Sequence, residues 1–453
     1  MNPLINKYNV AGPRYTSYPT VPFWQVSSYD ETHWLSLLSS TFDHTNSSTG
    51  ISLYIHLPYC ESLCTFCGCN KRITKNHNVE QPYIQAVLKE WQLYLNQFSE
   101  KPRISEIHLG GGTPSFFQPE MLEMLINGIL QYATLSDEIE FSFEGHPNNT
   151  SYQHLKSLYD LGFRRVSFGV QDYDPIVQKA IHRIQSFENV KQVTEWSRAI
   201  GYQSISHDLV FGLPFQQITS IRDTIAKTLE LKPDRLAFYS YAHVPWLKGN
   251  GQRGFRDEDL PSADLKRELY EVGRTLFEEN GYAEIGMDHF ALPHDSLFKS
   301  MENGTLNRNF MGYTTTQTKV LLGLGVSSIS DSWGAFSQNV KEIDEYINLL
   351  NENKLPLLKG HILSDEDLTV RQQILDIMCQ LQTTWNAEDF TFEERKVLIE
   401  KLKGFAADGL LNFNENSLKV NPEGKPFIRN ICMAFDKRMS REQITGKLFS
   451  QTV

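Results

Sequence analysis

Short apolar runs alternate with amphipathic stretches along the first half of the chain. Six runs are rich in β-branched and aromatic residues; they lie at 51–57, 104–109, 139–144, 165–170, 205–211 and 235–241. Between them, apolar residues recur at helical spacing over 82–98, 119–132 and 220–231, the last starting from a Ser cap. Strand and helix units in series predict an α/β fold with a parallel sheet covered by helices. The pattern alone leaves a barrel and a doubly wound sheet open.

The two ends of the chain break this rhythm. Residues 1–50 are polar, which predicts an arm with one short helix near 32–40 and no share in the core. After about residue 340 helical spacing dominates, and it covers 340–351, 365–381 and 393–405, followed by a hairpin-like alternation over 409–420. These shifts predict three parts: an N-terminal arm (1–48), an α/β domain with a connecting segment (49–335) and a mostly helical, winged-helix-like domain (336–453).

Charge and composition limit the partners. The chain of 453 residues carries 43 basic against 54 acidic side chains, a formal net charge of −11. This excess opposes binding to nucleic acid and to anionic membranes. No run of 18 apolar residues is present, and the first twenty residues lack the pattern of a signal peptide. We therefore expect a cytoplasmic protein with no nucleic-acid partner and no membrane span. An anionic small molecule would need a local basic pocket.

Polar residues follow the predicted strands where each one ends. Cysteines follow the first strand, a stretch of three glycines at 110–112 follows the second, and Glu144 ends the third. Gln171 follows the fourth strand, and Asp208 lies in the fifth. Because the carboxyl ends of parallel strands share one edge of the sheet, these residues predict a single active-site face.

Four of the six cysteines lie within ten residues: Cys60, Cys64, Cys67 and Cys69. A structural zinc site usually combines two C-x2-C pairs, whereas only Cys64 and Cys67 have that spacing. Buried, inert cysteines would not cluster in this way. A loop with C-x3-C-x2-C spacing can hold three irons of a 4Fe–4S cluster and leave the fourth iron open. We expect the two remaining cysteines, Cys379 and Cys432, to be core residues.

The C-x3-C-x2-C loop after the first strand, with Phe66 before its third cysteine, resembles the signature of the radical S-adenosylmethionine superfamily. The resemblance implies a partial (β/α)6 TIM-like barrel. It also implies one 4Fe–4S cluster on Cys60, Cys64 and Cys67, whose open iron binds S-adenosylmethionine. One electron then cleaves this cosubstrate to a 5′-deoxyadenosyl radical.

Longer segments resemble the family of oxygen-independent coproporphyrinogen III oxidases, or coproporphyrinogen dehydrogenases. They lie at 8–19, 67–71, 110–114, 169–172, 241–243, 286–290 and 429–433. The resemblance implies an oxidoreductase of haem biosynthesis that converts two propionates of coproporphyrinogen III to vinyls. It also implies a monomer served by an electron donor such as flavodoxin or ferredoxin. Alternatives are a haem chaperone or haem-degrading methyltransferase of the same superfamily, and a non-catalytic iron–sulfur or zinc protein.

The resemblance also assigns roles to single residues. The expected S-adenosylmethionine contacts are Tyr54, Phe66, Gly111, Gly112, Thr113, Glu144, Gln171, Arg183, Asp208, Ala242 and Ile329. Catalytic roles are expected for Cys69, Tyr54 and His56. Candidate partners of the substrate carboxylates are Arg14, Lys71 and Arg308.

The chain departs from the family pattern at two positions. His146 stands where the family carries Asp, and Met311 stands where it carries Gln. A Gln at position 311 could hydrogen-bond a second S-adenosylmethionine, so the resemblance leaves the number of cosubstrate molecules at one or two.

Overall fold

The computed structural model describes residues 3–24, 29–245, 252, 254–441 and 449–452. Within these residues, twelve strands form one large sheet. In chain order they are β1 (Ile51–Leu57), β2 (Arg103–Gly111), β3 (Thr134–Gly145), β4 (Arg165–Gln171), β5 (Ser204–Phe211), β6 (Arg235–Ser240), β7 (Ala283–Ile285), β8 (His289–Ala291), β9 (Val320–Leu324), β10 (Ile329–Asp331), β11 (Ala335–Asn339) and β12 (Leu357–Ile362). The spatial order is β12-β11-β10-β9-β1-β2-β3-β4-β5-β6-β8-β7.

The centre of this sheet is parallel. The seven neighbouring strands from β9 to β6 pair in parallel, and antiparallel strands extend the sheet on both sides. The predicted α/β class with a central parallel sheet is therefore confirmed. The six predicted strands become β1 to β6, and β9 is a seventh parallel strand that the sequence pattern did not reveal.

Helices cover the sheet and build the C-terminal region. The α-helices span Pro3–Tyr8, Glu31–Thr45, Glu80–Leu95, Pro119–Leu130, Tyr152–Asp160, Pro175–Ala180, Phe187–Ile200, Ile218–Glu230, Ala263–Glu279, Ser296–Glu302, Ile343–Asn351, Asp365–Gln380, Phe392–Ala407, Ile428–Phe435 and Lys437–Arg441. The predicted Ser cap at 220 is wrong, since that helix begins at Ile218 with Gln217 as its cap. None of the described helices is long and apolar enough to cross a membrane.

The expectation that residues 1–50 take no part in the core is wrong. Helix Glu31–Thr45 is longer than predicted, and its side chains of Trp34, Leu38 and Phe42 are completely buried against the main sheet. These residues recur every four positions, so they share one face of the helix. The stripe is inconspicuous in the sequence because polar Ser, Thr, Asp and His residues make up much of the rest of the helix.

The C-terminal region has its own apolar core. Helices Asp365–Gln380, Phe392–Ala407 and Ile428–Phe435 enclose it, and the expected hairpin forms from Leu411–Phe413 and Ser417–Val420. Both Cys379 and Cys432 are buried in this core, as expected. Strands β11 and β12 still belong to the main sheet, although they lie at or beyond residue 335. The domain boundaries expected at 48/49 and 335/336 stay a prediction.

The N-terminal arm is clamped by the far end of the chain. The Arg429 side chain donates to the carbonyl of Pro13 at 2.8 Å and to that of Gln451 at 3.0 Å, and it also reaches Gly12. Ala11 and Gln451 form an antiparallel bridge. One buried guanidinium thus joins segments more than 400 residues apart.

Candidate active site

A cavity of about 190 Å³ opens at the carboxyl edge of the parallel strands. Most of the residues predicted from the sequence line it. They are Cys60, Cys64, Phe66, Cys67, Cys69, Lys71, Gly111, Gly112, Thr113, Glu144, Gln171, Arg183 and Asp208. Parallel strands bring residues from distant parts of the chain to the same edge, as this class of fold predicts.

The cysteine loop follows β1 and is tied down by backbone contacts. Tyr59–Cys60 pairs in parallel with Arg72–Ile73. Thr65 donates its backbone N–H to the Ile181 carbonyl at 3.0 Å and its hydroxyl to the Ala180 carbonyl at 2.9 Å. The strand pair joins the two ends of the loop, and the Thr65 bonds hold its middle against the segment 180–181.

Donors and a cation surround the thiols. The Thr113 hydroxyl donates to Sγ of Cys60 at 3.2 Å, and the Arg183 guanidinium lies 3.8 Å from Sγ of Cys64. Burial raises the pKa of Cys60 to about 11, whereas a hydrogen bond from the Cys69 thiol lowers the pKa of Cys67. Hydrogen-bond donors and positive charge stabilise thiolates, which are the form that binds iron.

The thiols line one cavity without converging on one point. Among the described residues, no three His, Cys, Asp or Glu side chains gather as ligands of a single metal ion. A polynuclear cluster differs from a single ion in this respect, because each of its irons takes one cysteine. Three separate thiols that line one cavity suit such a cluster.

The glycine stretch after β2 brings the backbone to the floor of the cavity. Gly112 donates its N–H to the Leu57 carbonyl at 2.9 Å, and a Cβ there would lie 2.6 Å from the carbonyl carbon of Pro58. A Cβ on Gly110 would lie 2.9 Å from Oε1 of Glu144. No larger residue fits at either position, which leaves the peptide groups accessible to a ligand.

Tyr54 and His56 lie on the same face of β1, directly below the glycine stretch. Nε2 of His56 lies 2.9 Å from the carbonyl of Asn70, which can only accept, so this nitrogen carries the proton. Burial lowers the pKa of His56, so the ring is neutral and Nδ1 is an acceptor. The Tyr54 hydroxyl donates to Nδ1 at 3.1 Å. The tautomer of His56 is thereby fixed by its two partners.

Polar groups at the ends of β3, β4 and β5 complete the cavity. Glu144 accepts from His108 at 3.3 Å. Asp208 accepts from the Ser167 hydroxyl at 2.5 Å, and burial raises its pKa to about 6. Gln171 has a φ of +66° at a bulge in β4. Such a backbone conformation is costly for a residue with a side chain and is often found at functional sites.

Three predicted S-adenosylmethionine contacts do not line this cavity: Tyr54, which lies on β1 below the glycine stretch, Ala242 and Ile329. Ala242 follows β6, and its carbonyl accepts a hydrogen bond of 3.0 Å from Gln252. Ile329 begins β10 and packs against an apolar group around Trp24 and Phe336. Neither of the last two belongs to the cavity lining, so their expected contact with adenine stays a prediction.

The candidate substrate cations are dispersed. Lys71 lies at the cavity, where it donates to the carbonyls of Cys67 at 3.1 Å and Cys69 at 3.3 Å. Arg14 donates to the carbonyl of Ser240 at 2.8 Å, and Arg308 is buried with its guanidinium 4.5 Å from the centre of the Tyr313 ring. Only Lys71 of the three lines the cavity.

Sequence reasoning missed two residues of this region. Asn149 lines the cavity together with His146, whose pKa burial lowers to about 2. Gln252 donates to the Phe66 carbonyl at 3.1 Å as well as to Ala242, and so links the cysteine loop to the end of β6. The pair of asparagines in the loop after β3 was a signal for the first, whereas nothing local marks Gln252.

Comparisons with known proteins agree on one group. Residues 54–227 match the profile of the Radical SAM superfamily. The chain is 37% identical over 456 residues to the oxygen-independent coproporphyrinogen III oxidase of Helicobacter pylori, which covers 99% of this chain and 98% of the relative. The Escherichia coli protein of the same name is 34% identical over 459 residues, with 99% and 98% covered. A solved structure of coproporphyrinogen III oxidase from Escherichia coli, described as a radical SAM enzyme, superposes with a TM-score of 0.87 at 33% identity and covers 94% of this chain and 98% of its own.

Proposed function

Because the chain belongs to the family of oxygen-independent coproporphyrinogen III oxidases, within the radical SAM superfamily, we propose that it converts coproporphyrinogen III to protoporphyrinogen IX. In this reaction each of two propionates gives one hydrogen atom to a 5′-deoxyadenosyl radical and one electron to an external one-electron acceptor, releases carbon dioxide and becomes a vinyl group. The observation that carries the proposal is the convergence of the cysteine loop, the glycine stretch and the strand-end polar groups on one cavity.

The residues of the cavity fit a 4Fe–4S cluster and S-adenosylmethionine. We assign the cluster to Cys60, Cys64 and Cys67, because Thr113 donates to Cys60, Arg183 lies beside Cys64, and a hydrogen bond from Cys69 lowers the pKa of Cys67. When bound, the cluster and its cosubstrate supply the 5′-deoxyadenosyl radical that removes hydrogen from a propionate. The chain itself binds, orients and shields the reacting groups.

The cosubstrate would lie along the strand ends. Gly111, Gly112 and Thr113 offer backbone and hydroxyl groups to its amino end, since no side chain blocks the approach. Glu144 and Asp208 are acceptors suited to hydroxyl and ammonium groups, and Arg183 can pair with a carboxylate. Gln171 is held towards the cavity by its bulge.

Cys69 is assigned to the reaction rather than to the cluster. It lies two positions after Cys67, lines the cavity and hydrogen-bonds the Cys67 thiol. The thiol is therefore available to handle a proton or electron near the substrate. Tyr54 and His56 position the glycine stretch from below.

The proposed reaction also bears on the electron donor, the cellular compartment and the oligomeric state. A small redox protein such as flavodoxin or ferredoxin would deliver electrons, and it could approach the loop at Glu61 and Leu63, which are exposed. All six cysteines are unpaired, which suits the reducing cytoplasm. We propose a monomer, since one chain supplies every side chain of the cavity.

An anaerobic assay tests the proposal. Reconstituted protein is incubated with coproporphyrinogen III, S-adenosylmethionine and a reductant, and vinyl product and 5′-deoxyadenosine are quantified together. The proposal expects both products and their loss in Cys64→Ser, which also lowers the iron content. Formation of 5′-deoxyadenosine without vinyl product would overturn it in favour of a haem-handling relative. Stoichiometric zinc instead of iron would overturn it in favour of a zinc protein.

A further inference from the structure

A second cavity lies where the N-terminal arm, the sheet and the C-terminal region meet. It offers about 80 Å³ and is separate from the cysteine cavity, with which it shares no lining residue. Its walls come from Arg14 of the arm, Lys266 of helix Ala263–Glu279 and Arg429 of helix Ile428–Phe435. None of these walls belongs to the cysteine cavity, although Arg14 is also a candidate partner of the substrate carboxylates.

Two of its cations sit on neighbouring peptide carbonyls. Arg14 donates through one Nη to the carbonyl of Ser240 at 2.8 Å, and Lys266 donates through Nζ to the carbonyl of Tyr241 at 3.2 Å. Within the described part of the chain these are the only hydrogen bonds that the two side chains make. Both cations therefore keep donors free towards the cavity.

The stem of Lys266 is held in place by a glycine. Gly212 follows β5 with a φ of +83°, and a Cβ there would lie 2.9 Å from Cε of Lys266. The lysine thus lies over a position that only glycine can occupy. This contact directs the ammonium group to one place instead of leaving it to move in solvent.

Positive charge in the cavity is poorly compensated. Asp288 is 4.0 Å from Arg14, but it is engaged by His289 at 2.7 Å. In the described residues neither Lys266 nor Arg429 has a carboxylate partner, although Arg429 is nine-tenths buried. Burial and the nearby guanidinium groups of Arg14 and Arg429 lower the pKa of Lys266 to about 8. A bound anion would relieve this repulsion.

The two other basic residues that line the cavity, Arg267 and Lys425, have carboxylate partners and add no uncompensated positive charge. Arg267 is paired with Glu271, and Lys425 lies 3.3 Å from Glu284. Beneath the cations, aromatic rings including Phe211 and Phe238 form an apolar floor. The cavity thus combines an uncompensated cationic side with an apolar side.

We propose that this cavity binds one small carboxylate that carries a short alkyl tail, of the size of propionate. Roughly 10–15 Å³ of such space holds one water molecule, so the cavity has room for about five to eight non-hydrogen atoms. The carboxylate pairs with Arg14 and Lys266, and the alkyl tail lies on the aromatic floor. Arg429 contributes only through its positive charge, because its N–H groups already donate to backbone carbonyls.

The occupant has two possible sources with the same chemistry. It is either a free short-chain carboxylate or a propionate of the substrate itself, and only the second source rests on the proposed function. A binding titration needs no turnover. Failure of the proposed reaction and failure of this site are therefore distinguishable.

The test compares the reconstituted full-length protein with three variants. Lys266→Met keeps the stem and removes the charge, Lys266→Arg keeps the charge, and Lys191→Met removes an exposed helical charge elsewhere. Calorimetric titration with propionate should give saturable binding to wild type, Lys266→Arg and Lys191→Met. Lys266→Met should lower the affinity at least tenfold, and the uncharged isostere propionamide should not bind.

Every other result either overturns the proposal or identifies the source of the bound carboxylate. Equal binding to wild type and Lys266→Met shows that the contact is adventitious and overturns the site. Inorganic phosphate binding more tightly than propionate overturns the ligand class. If free propionate does not bind, the KM for coproporphyrinogen III is measured: a rise at unchanged kcat in Lys266→Met assigns the site to the substrate's own propionate, and an unchanged KM overturns the proposal. Lys266→Arg guards against a folding defect, because it should behave as wild type in both measurements.

Discussion

A Cβ on Gly111 would lie 2.8 Å from Nδ1 of His56, at the position that accepts the Tyr54 hydroxyl proton. Gly111 also has a φ of +117°, a conformation that side chains rarely adopt. The glycine stretch and the β1 histidine are thus fitted to each other, and neither can change alone.

Gly111→Ala should therefore destabilise the protein by roughly 1–3 kcal/mol, because strain adds to the contact with His56. It should also weaken S-adenosylmethionine binding. Urea unfolding under anaerobic conditions measures the first effect, and a cosubstrate titration measures the second. The matched control is Gly404→Ala, where a helical Cβ meets nothing within 4 Å. That variant should gain roughly 0.5–1 kcal/mol. Equal effects of the two substitutions would contradict the close contact between Gly111 and His56.

Tyr54→Phe should leave Nδ1 of His56 buried without a donor. The expected loss of unfolding free energy is roughly 1–3 kcal/mol, the cost of an unsatisfied buried polar group. Tyr132→Phe serves as control. The side chain of Tyr132 is 40% exposed, so loss of its hydroxyl should change the free energy of unfolding little. An unchanged stability in Tyr54→Phe would show that the hydrogen bond contributes nothing to the folded state.

Cys69→Ser should keep the cluster and lose the reaction. A hydroxyl replaces the thiol without touching the three expected cluster ligands, so iron content and visible absorbance should match those of wild type. Vinyl product should fall at least a hundredfold, a typical contribution of one catalytic proton-handling group. Cys67→Ser is the contrasting variant and should lose the cluster itself. Full activity of Cys69→Ser would remove this thiol from the reaction.

His207 should make the protein sensitive to acid. It is fully buried, and burial lowers its pKa to about 3, whereas an unfolded histidine titrates near 6.5. Below about pH 6.5 the unfolded chain binds a proton that the folded chain refuses, so stability falls as the pH falls towards 3. Above pH 6.5 this contribution is constant.

His207→Gln should remove this dependence while keeping a polar group near Thr194. The loss of unfolding free energy between pH 7 and pH 5 should become smaller by about 1–2 kcal/mol. Denaturant unfolding at the two pH values measures it, with His44→Gln at an exposed position as control. The same loss in all three proteins would contradict the assignment.

Local sequence patterns predicted the bounds of the strands better than they predicted which strands pair with each other. The β1 prediction of 51–57 is matched residue for residue, because its apolar run is bounded by Gly50 and Pro58. The insertion of β9 beside β1 was not predicted, since it depends on pairing across some 260 residues of chain. Pairing of that kind is decided by tertiary packing, which no local periodicity encodes.

The candidate site shows the same division. The cysteine loop and the strand-end carboxylates were predictable because parallel topology fixes which edge they share. Ile329 could not be placed in this way, since the antiparallel strands after β9 turn away from the rule for parallel sheets. The link through Gln252 joins two loops by one side chain, and loop geometry of that kind leaves no periodic signal.

The clamp between Arg429, Pro13 and Gln451 also has a consequence for synthesis. A ribosome makes residue 451 some 440 residues after residues 11–14. Until residue 451 is made, the arm can contact earlier parts of the chain such as Ser240, but the contacts that Arg429 and Gln451 provide together cannot form. The clamp is consequently closed only when synthesis of this part of the chain is almost finished, after the sheet and the cysteine loop have left the ribosome.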